Sequence, residues 1–234
     1  MSATSHFKKE DFPSPELNQV GRGRVDHLYM PLDHMEDLYD SKNPLVKFVH
    51  LNRLDSIARQ IPPEKELTLL DAGCGEGHLL ERLYLLNSSC RYYGADITPA
   101  ALTRAQERCP WATFKKMNLS SMEFPAVFFD VVICTEVLEH IYEYEAVIEE
   151  LKRILKPGGC LIITFPNEAL WTAGRFLLRR KPVKVPDHVN SFYPHHMNSL
   201  VNLKLKNQLG LPFGLPFFLS LSCLMKFEKG DASG

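Results

Sequence analysis

Short apolar runs alternate with helical patterns along most of the chain, and this alternation limits the folds that the chain can adopt. Runs at 67–70, 91–95, 129–135 and 160–165 have the length and apolar content of strands, and 113–116 is predicted to be an edge-like strand. Strands that are apolar on both faces and separated by helices pair in parallel, with helices on both sides of the sheet. The sequence therefore predicts an α/β fold.

The clearest helical period follows the fourth of these strands. Apolar residues recur there at alternating steps of four and three, at Val137, Ile141, Tyr144, Ile148, Leu151 and Leu155. This period predicts one helix over 137–155, which the sequence KPGG at 156–159 ends. A helix over 44–61 is predicted to stop at Pro62, and another to begin at Pro99 with Thr98 as its cap.

The composition fits a single domain. The 234 residues are 45% hydrophobic and 24% charged, which is enough apolar material for one core. We assign this domain to residues 44–234 and the polar residues 1–43 to an N-terminal extension. Lys and Arg number 27 against 28 for Asp and Glu, so no overall positive field would gather nucleic acid. This balance disfavours nucleic acid as a partner.

Three features of the sequence predict a cytoplasmic protein. The first residues, MSATSHFKKEDF, lack the apolar core of a secretory signal. The most apolar stretch, 209–225, is interrupted by Pro212 and Pro216, so we expect no transmembrane segment. None of the six cysteines forms a C-x-x-C pair, and free thiols are typical of a reducing compartment.

A glycine-rich turn directly follows the first predicted strand. Residues 69–77 read LLDAGCGEG, with glycines two residues apart at Gly73, Gly75 and Gly77. Glycine lets the backbone approach a ligand closely, and the N-terminus of the next helix offers unpaired N–H groups. A dinucleotide turn reads G-x-G-x-x-G, a spacing that the third glycine does not fit. Since Asp71 also suits an ammonium group better than a pyrophosphate, the pattern favours S-adenosylmethionine over NAD.

Asp96 ends the second predicted strand, beside this turn. A carboxylate at that position can accept hydrogen bonds from both ribose hydroxyls of an adenosine. The alternative is a turn or helix-capping aspartate that serves Thr98 and Pro99. Both interpretations stay open at this point.

Four segments in order resemble class I S-adenosylmethionine-dependent methyltransferases. They are LLDAGCGEGHLLERL, YYGADITPAALTRA, FDVVICTEVLEHI and LKRILKPGGCLIITFPN, and the resemblance covers about residues 45–210. It implies a Rossmann-like parallel sheet with helices on both faces and an antiparallel last strand. It also implies a cofactor site in which Asp71, Gly73, Gly75 and Gly77 surround the methionine part, Asp96 and Ile97 hold ribose and adenine, Asn118 and Leu119 line the adenine edge, and the chain from Cys134 to Glu136 passes the sulfonium.

The end of the chain departs from this family. Its members finish with two strands in a reversed hairpin, but only 24 residues follow Gly210, and Pro212 and Pro216 disfavour a regular strand. We expect a final strand over 218–227, with a partner strand that is short or absent.

The acceptor side is predicted to lie just after the fourth strand. Glu136, Glu139 and His140 stand at i, i+3 and i+4, so one helical turn would point all three side chains the same way. Such a group could hold a divalent cation, for example Mg²⁺, that lowers the pKa of a bound hydroxyl. Alternatively, His140 acts as a base unaided, or the residues only cap and orient the helix.

The E-x-x-E-H arrangement resembles that of ubiquinone-pathway O-methyltransferases and small-RNA 2′-O-methyltransferases, in which a later histidine joins the metal. The context of His188 resembles that of the later histidine, so the resemblance places His188 beside His140. It implies catalytic roles for Glu136, His140 and His188, and a metal site of Glu136, Glu139, His140 and His188. By contrast, His195 and His196 are expected to open the next helix.

The segment over 166–190 is predicted to form a lid or acceptor-binding segment. It mixes apolar residues with five cations at Arg175, Arg179, Arg180, Lys181 and Lys184. Such a segment can lie on an anionic membrane surface or receive an acidic or lipid-linked acceptor, and the alternative is a solvated cover. The main hypothesis is O-methylation of a small or lipid-linked hydroxyl compound. The alternatives are N-methylation of an amine, 2′-O-methylation of RNA, or cofactor binding without transfer.

Overall fold

The computed structural model describes residue 39 and residues 41–62, 66–177 and 188–231, and it forms one seven-stranded sheet. The strands are β1 Thr68–Ala72, β2 Arg91–Asp96, β3 Thr113–Lys116, β4 Phe129–Thr135, β5 Leu155–Pro166, β6 Lys204–Leu211 and β7 Ser222–Glu228. Their order across the sheet is β3-β2-β1-β4-β5-β7-β6. Strands β1 to β5 pair in parallel, whereas β7 is antiparallel to both β5 and β6. This confirms the predicted Rossmann-like α/β sheet and its antiparallel last strand.

Helices cover both faces of the sheet. They are α1 Pro44–Ala58, α2 His78–Leu86, α3 Pro99–Arg108, α4 Tyr144–Ile154, α5 Glu168–Leu177 and α6 Pro194–Val201, with 3₁₀ turns at Leu138–His140 and Phe217–Leu219. Neighbouring residues of one strand point to opposite faces, so Val131 and Val132 enter different core clusters. Helices α1 and α2 pack in the cluster of Val131, and α4 and α6 in that of Val132. The alternation of apolar runs and helical patterns thus fills two core layers.

The predicted single helix over 137–155 is wrong at its beginning. Glu136 adopts a left-handed φ of 52°, a 3₁₀ turn follows, and α4 begins only at Tyr144. The carbonyl groups that a helix would use internally are bound by a distant part of the chain. The amide of Asn190 donates to the carbonyl oxygens of Leu138 and Ile141, at 3.1 and 2.6 Å. A tertiary contact therefore replaces the first helical turns that the apolar period predicts.

The expectation of a short or absent partner for the final strand is also wrong. β6 is eight residues long and pairs with β7 from Lys204 to Leu211. It ends immediately before Pro212, so the proline lies in the connecting loop and removes no hydrogen bond from the sheet. The final strand begins at Ser222, because the 3₁₀ turn occupies the preceding residues. The family's reversed hairpin is therefore complete.

The carboxyl ends of the parallel strands meet at one edge of the sheet. The chain changes direction across the sheet between β1 and β4, and open α/β sheets bind ligands outside the strand ends at such a point. The glycine turn follows β1, Asp96 ends β2, and Glu136 follows β4. Within the described ranges, none of the helices has the length and apolar content needed to cross a bilayer.

Candidate functional site

The glycine turn after β1 requires glycine for two different reasons. Gly73, Gly75 and Gly77 have φ values of 83°, 49° and 83°, in the left-handed region that favours glycine. A Cβ on Gly73 would lie 2.4 Å from Cγ2 of Val137, so a side chain cannot fit there. A Cβ on Gly75 would meet no atom of the described structure within 4 Å. Open space therefore faces the turn at Gly75, where a ligand can approach the backbone.

Asp96 fastens this turn to the end of β2. Its Oδ2 accepts a hydrogen bond from the N–H of Gly75 at 2.9 Å, and its Oδ1 accepts one from the N–H of Thr98 at 2.8 Å. The turn role considered from the sequence is thus present. Because each carboxylate oxygen carries two lone pairs, Asp96 keeps capacity to accept hydrogen bonds from ligand hydroxyls.

Asp71 is a buried carboxyl group at the end of β1. Burial, followed by the nearby Asp96, raises the pKa of Asp71 to about 7. A carboxyl with a raised pKa binds a proton near neutral pH, and an adjacent cation would favour its ionised form instead. This is the electrostatic environment that an amino-acid ammonium group would complete.

The remaining predicted cofactor residues surround the same edge. Ile97 directly follows Asp96, and Asn118 and Leu119 follow β3, the strand that pairs with β2. The Oδ1 of Asn118 accepts a hydrogen bond from the N–H of Ser120, which fixes the turn after β3. Cys134 is fully buried in the core, whereas the next two residues of the same segment, Thr135 and Glu136, are partly exposed.

A second group of side chains lies beyond the end of β4. One ligand atom from each of Glu139, His140 and His188 lies within 4.8 Å of the other two, a grouping that could hold a metal ion. The two imidazole rings are 4.7 Å apart and nearly perpendicular, with an angle of 75°. The predicted proximity of His188 to His140 therefore occurs in the structure.

Glu139 is the most buried member of this group, with 1% of its surface exposed. Neither of its carboxylate oxygens has a hydrogen-bond partner in the part of the chain that the structure describes. Burial, and then the charge of Glu136, raise the pKa of Glu139 well above its usual range. A ligand that offers a positive charge or hydrogen-bond donors would satisfy this side chain.

Glu136 lies outside this group, which corrects the prediction that it shares a helical face with Glu139 and His140. Its left-handed backbone turns the side chain elsewhere. Its Oε1 accepts a hydrogen bond from Oγ1 of Thr164 at 2.9 Å, and its Oε2 lies 3.3 Å from Nη1 of Arg53. Glu136 is thus held by a buried cation of α1 and a hydroxyl of β5.

Sequence reasoning missed three residues at this site. Arg53 occupies an otherwise ordinary helical stripe, where the sequence gives no sign of its contact with Glu136. Glu168 contacts Nδ1 of His188, and its place just after a parallel strand is a signal that could have found it. Asn190 fixes the 3₁₀ turn that carries Glu139 and His140. Of the proposed lid over 166–190, residues 178–187 lie outside the described residues, as do residues 1–38 and 40 of the extension.

Comparison with known proteins finds a methyltransferase domain in the central part of the chain. The family model described as "Methyltransferase domain" matches residues 70–163, which include the glycine turn, Asp96 and the group after β4. A probable S-adenosylmethionine-dependent methyltransferase from Mycolicibacterium smegmatis is 30% identical over 107 residues, covering 46% of this chain and 41% of the relative. Over this region the chain is similar to S-adenosylmethionine-dependent methyltransferases.

Other methyltransferases resemble the chain over longer regions. The human mitochondrial ubiquinone biosynthesis O-methyltransferase is 32% identical over 151 residues, covering 60% of this chain and 39% of the relative. The chain thus spans about two fifths of the length of these curated relatives. The structure of magnesium protoporphyrin IX methyltransferase from Synechocystis, with bound SAH, shares the fold with a TM-score of 0.66. It is 20% identical and aligns over 85% of this chain and 93% of that one.

Replacing Asp71 with asparagine is expected to change the stability of the protein in a pH-dependent way. The folded protein holds the Asp71 proton up to about pH 7, whereas the unfolded chain releases it near ~3.9. The stability that the neutral carboxyl contributes is therefore present below about pH 4 and is lost as the pH rises to about 7. Asparagine carries no ionisable proton, so the variant should exceed wild type by a few kcal/mol at pH 8 and match it at pH 4.

Urea unfolding of the ligand-free protein at the two pH values measures this difference. Asn substitution at Glu107, an exposed acid on α3, is the control for a change of net charge. A difference between wild type and the Asp71 variant that is the same at both pH values would contradict the raised pKa.

Proposed function

We propose that the protein transfers the methyl group of S-adenosylmethionine to a hydroxyl group of a small or lipid-linked compound. The observation that carries the proposal is the pair of imidazoles, His140 and His188, 4.7 Å apart beside the strand ends. A hydroxyl must lose its proton during methylation, whereas a neutral amine is already nucleophilic. A buried group of acids and bases is therefore expected for an O-methyltransferase, whereas a neutral amine needs no base.

The residues around the glycine turn fit the proposed cofactor. Asp71 would pair with the ammonium group, and the open space at Gly75 would admit the methionine part. The free lone pairs of Asp96 would accept the ribose hydroxyls, while Ile97, Asn118 and Leu119 border the adenine. When bound, S-adenosylmethionine supplies a methyl group on a positively charged sulfur. The protein's task is to hold the acceptor oxygen in line with that methyl group.

The imidazoles have two ways to activate a hydroxyl. In the first, His140 or His188 accepts the hydroxyl proton as the new oxygen–carbon bond forms. In the second, Glu139, His140 and His188 hold a divalent cation that lowers the pKa of the bound hydroxyl. Glu136 would then support the site through Arg53 and take no part in holding the cation.

An exposed apolar surface beside the site supports a lipid-linked acceptor and peripheral contact with an anionic membrane. It consists of Leu45 and Phe48 of α1 and of Phe213, Leu215, Phe218 and Leu219 in the loop between β6 and β7. The Phe48 and Phe213 rings stack 5.8 Å apart, and Phe218 is 71% exposed. The sequence also carries five cations over 175–184, and cations favour contact with anionic lipid headgroups. Apolar residues together with cations are typical of proteins that bind anionic bilayers.

Methyl transfer to matched acceptors tests the proposal. We expect labelled methyl from S-adenosylmethionine to appear on a phenol but not on its methyl ether or on the corresponding aniline. A prenylated phenol should be methylated faster in vesicles that contain anionic lipid than in zwitterionic vesicles, and Phe213→Ser with Phe218→Ser should remove that difference.

Other outcomes separate the competing functions. Methylation of the aniline alone would favour an N-methyltransferase, and methylation of a short RNA alone would favour a 2′-O-methyltransferase. Binding of S-adenosylmethionine with no transfer to any hydroxyl acceptor would count against the proposal and favour a binding protein.

A further inference from the structure

We propose that Glu168 is a positioning residue, which fixes the orientation and the tautomer of His188 for its work on the acceptor. The inference rests on the proposed function for the purpose of the pair, but its geometry is independent of that function. Oε1 of Glu168 contacts Nδ1 of His188, and the two side chains are 9% and 13% exposed. A buried carboxylate against one ring nitrogen is an arrangement that determines where the imidazole carries its proton.

Glu168 is held in place by the chain on either side of it. It is the first residue of α5, and Asn167 alone separates it from the end of β5. The N–H of the preceding Asn167 donates to the carbonyl oxygen of Leu221 at 2.9 Å. The amide of Asn167 donates to the carbonyl oxygen of Phe217 at 2.8 Å. The carboxylate therefore projects from backbone that is tied to the loop between β6 and β7.

His188 is held in place by hydrogen bonds of the two residues that follow it. The N–H groups of Val189 and Asn190 both donate to the carbonyl oxygen of Glu139, at 2.8 and 3.0 Å. The side chain of Asn190 binds the same 3₁₀ turn. The contact between Glu168 and His188 thus joins two pieces of backbone that are each held by their own hydrogen bonds.

The contact has one chemical consequence. A proton on Nδ1 of His188 is stabilised by the Glu168 carboxylate, so in the neutral ring Nε2 keeps its lone pair. A hydroxyl proton or a cation needs that lone pair, so the same tautomer serves both ways of activating the acceptor. The His140 ring lies 4.7 Å from that of His188, so the ring that Glu168 orients is part of the group formed by Glu139, His140 and His188.

The burial of Glu168 argues against a purely structural role. Its second oxygen, Oε2, is buried and has no hydrogen-bond partner among the described residues. Burying an incompletely paired carboxylate costs stability, so a fold gains little from such a residue. Glu168→Gln is therefore expected to leave the thermal midpoint unchanged or higher.

The test combines the tautomer of His188 with the kinetics of the Glu168→Gln variant. Two-bond ¹H–¹⁵N spectra of the ligand-free protein report the tautomer, with the His188 signals assigned from their loss in His188→Gln. We expect the Nδ1–H tautomer in wild type and its loss or mixing in Glu168→Gln. Turnover of the hydroxyl acceptor should fall about tenfold or more, with the dissociation constant of S-adenosylmethionine unchanged. Glu168→Asp should restore part of the turnover.

Glu145→Gln is the matched control, because Glu145 is an exposed glutamate in the first turn of α4. It should change neither the His188 spectrum nor turnover. An Nε2–H tautomer in wild type, or an unchanged tautomer in Glu168→Gln, would overturn the inference whether or not an acceptor has been found. If the tautomer behaves as expected while no hydroxyl is methylated, the positioning role stands and the proposed O-methylation fails.

Discussion

Asp96→Ala is expected to lower the affinity for S-adenosylmethionine by about a hundredfold or more. The change would remove the two charge-assisted hydrogen bonds proposed between Asp96 and the ribose, and such bonds contribute about 1.5–3 kcal/mol each. It also removes the acceptor that holds the N–H of Gly75, so the glycine turn loses its link to β2. Isothermal titration calorimetry with S-adenosylmethionine and with its demethylated product measures the loss.

The appropriate control is Glu107→Ala, which removes an exposed acid from the same connection between β2 and β3. It should leave the affinity unchanged. Wild type should show no binding of NAD, because the glycines lack the dinucleotide spacing. Undiminished binding by Asp96→Ala would leave Asp96 with only its turn role toward Thr98.

His188→Ala and His140→Ala are each expected to reduce turnover about a hundredfold or more while cofactor affinity stays within about twofold. Each change removes one imidazole from the group of Glu139, His140 and His188, and neither removes a proposed contact with the cofactor. Steady-state kinetics with a hydroxyl acceptor, together with calorimetry, separate the two effects. His195→Ala is the control, because His195 is exposed on α6.

Chelation distinguishes the two ways of activating the hydroxyl. If a cation is held, chelator should suppress turnover, Mg²⁺ or Mn²⁺ should restore it, and Glu139→Ala should abolish the metal response. If an imidazole acts alone, chelator should have no effect. Turnover that is indifferent to chelator and to both histidine substitutions would mean that positioning suffices, and would favour an amine acceptor.

The architecture and the glycine turn could be predicted from local sequence patterns. Strands β1, β2, β4 and β5 were predictable because an apolar run between two helices has few other places to be buried. The glycine turn was predictable because positive φ values at a strand-to-helix junction favour glycine. The glycines themselves therefore mark the turn in the sequence. The C-terminal hairpin was misjudged, since the charged, polar residues of β6 give a weak strand signal at the edge of a sheet.

The arrangement of side chains after β4 depends on contacts between distant segments of the chain. The apolar period after β4 fits a helix, but the chain forms a 3₁₀ turn there, and Asn190 binds the carbonyl groups of Leu138 and Ile141 from about fifty positions away. Glu136 turns toward Arg53, and Glu168 contacts His188, which lies twenty positions further along the chain. A local pattern records which residues can share a helical face. Which charges actually meet depends on contacts between distant segments, whose hydrogen bonds outweigh the small local preferences that the sequence expresses.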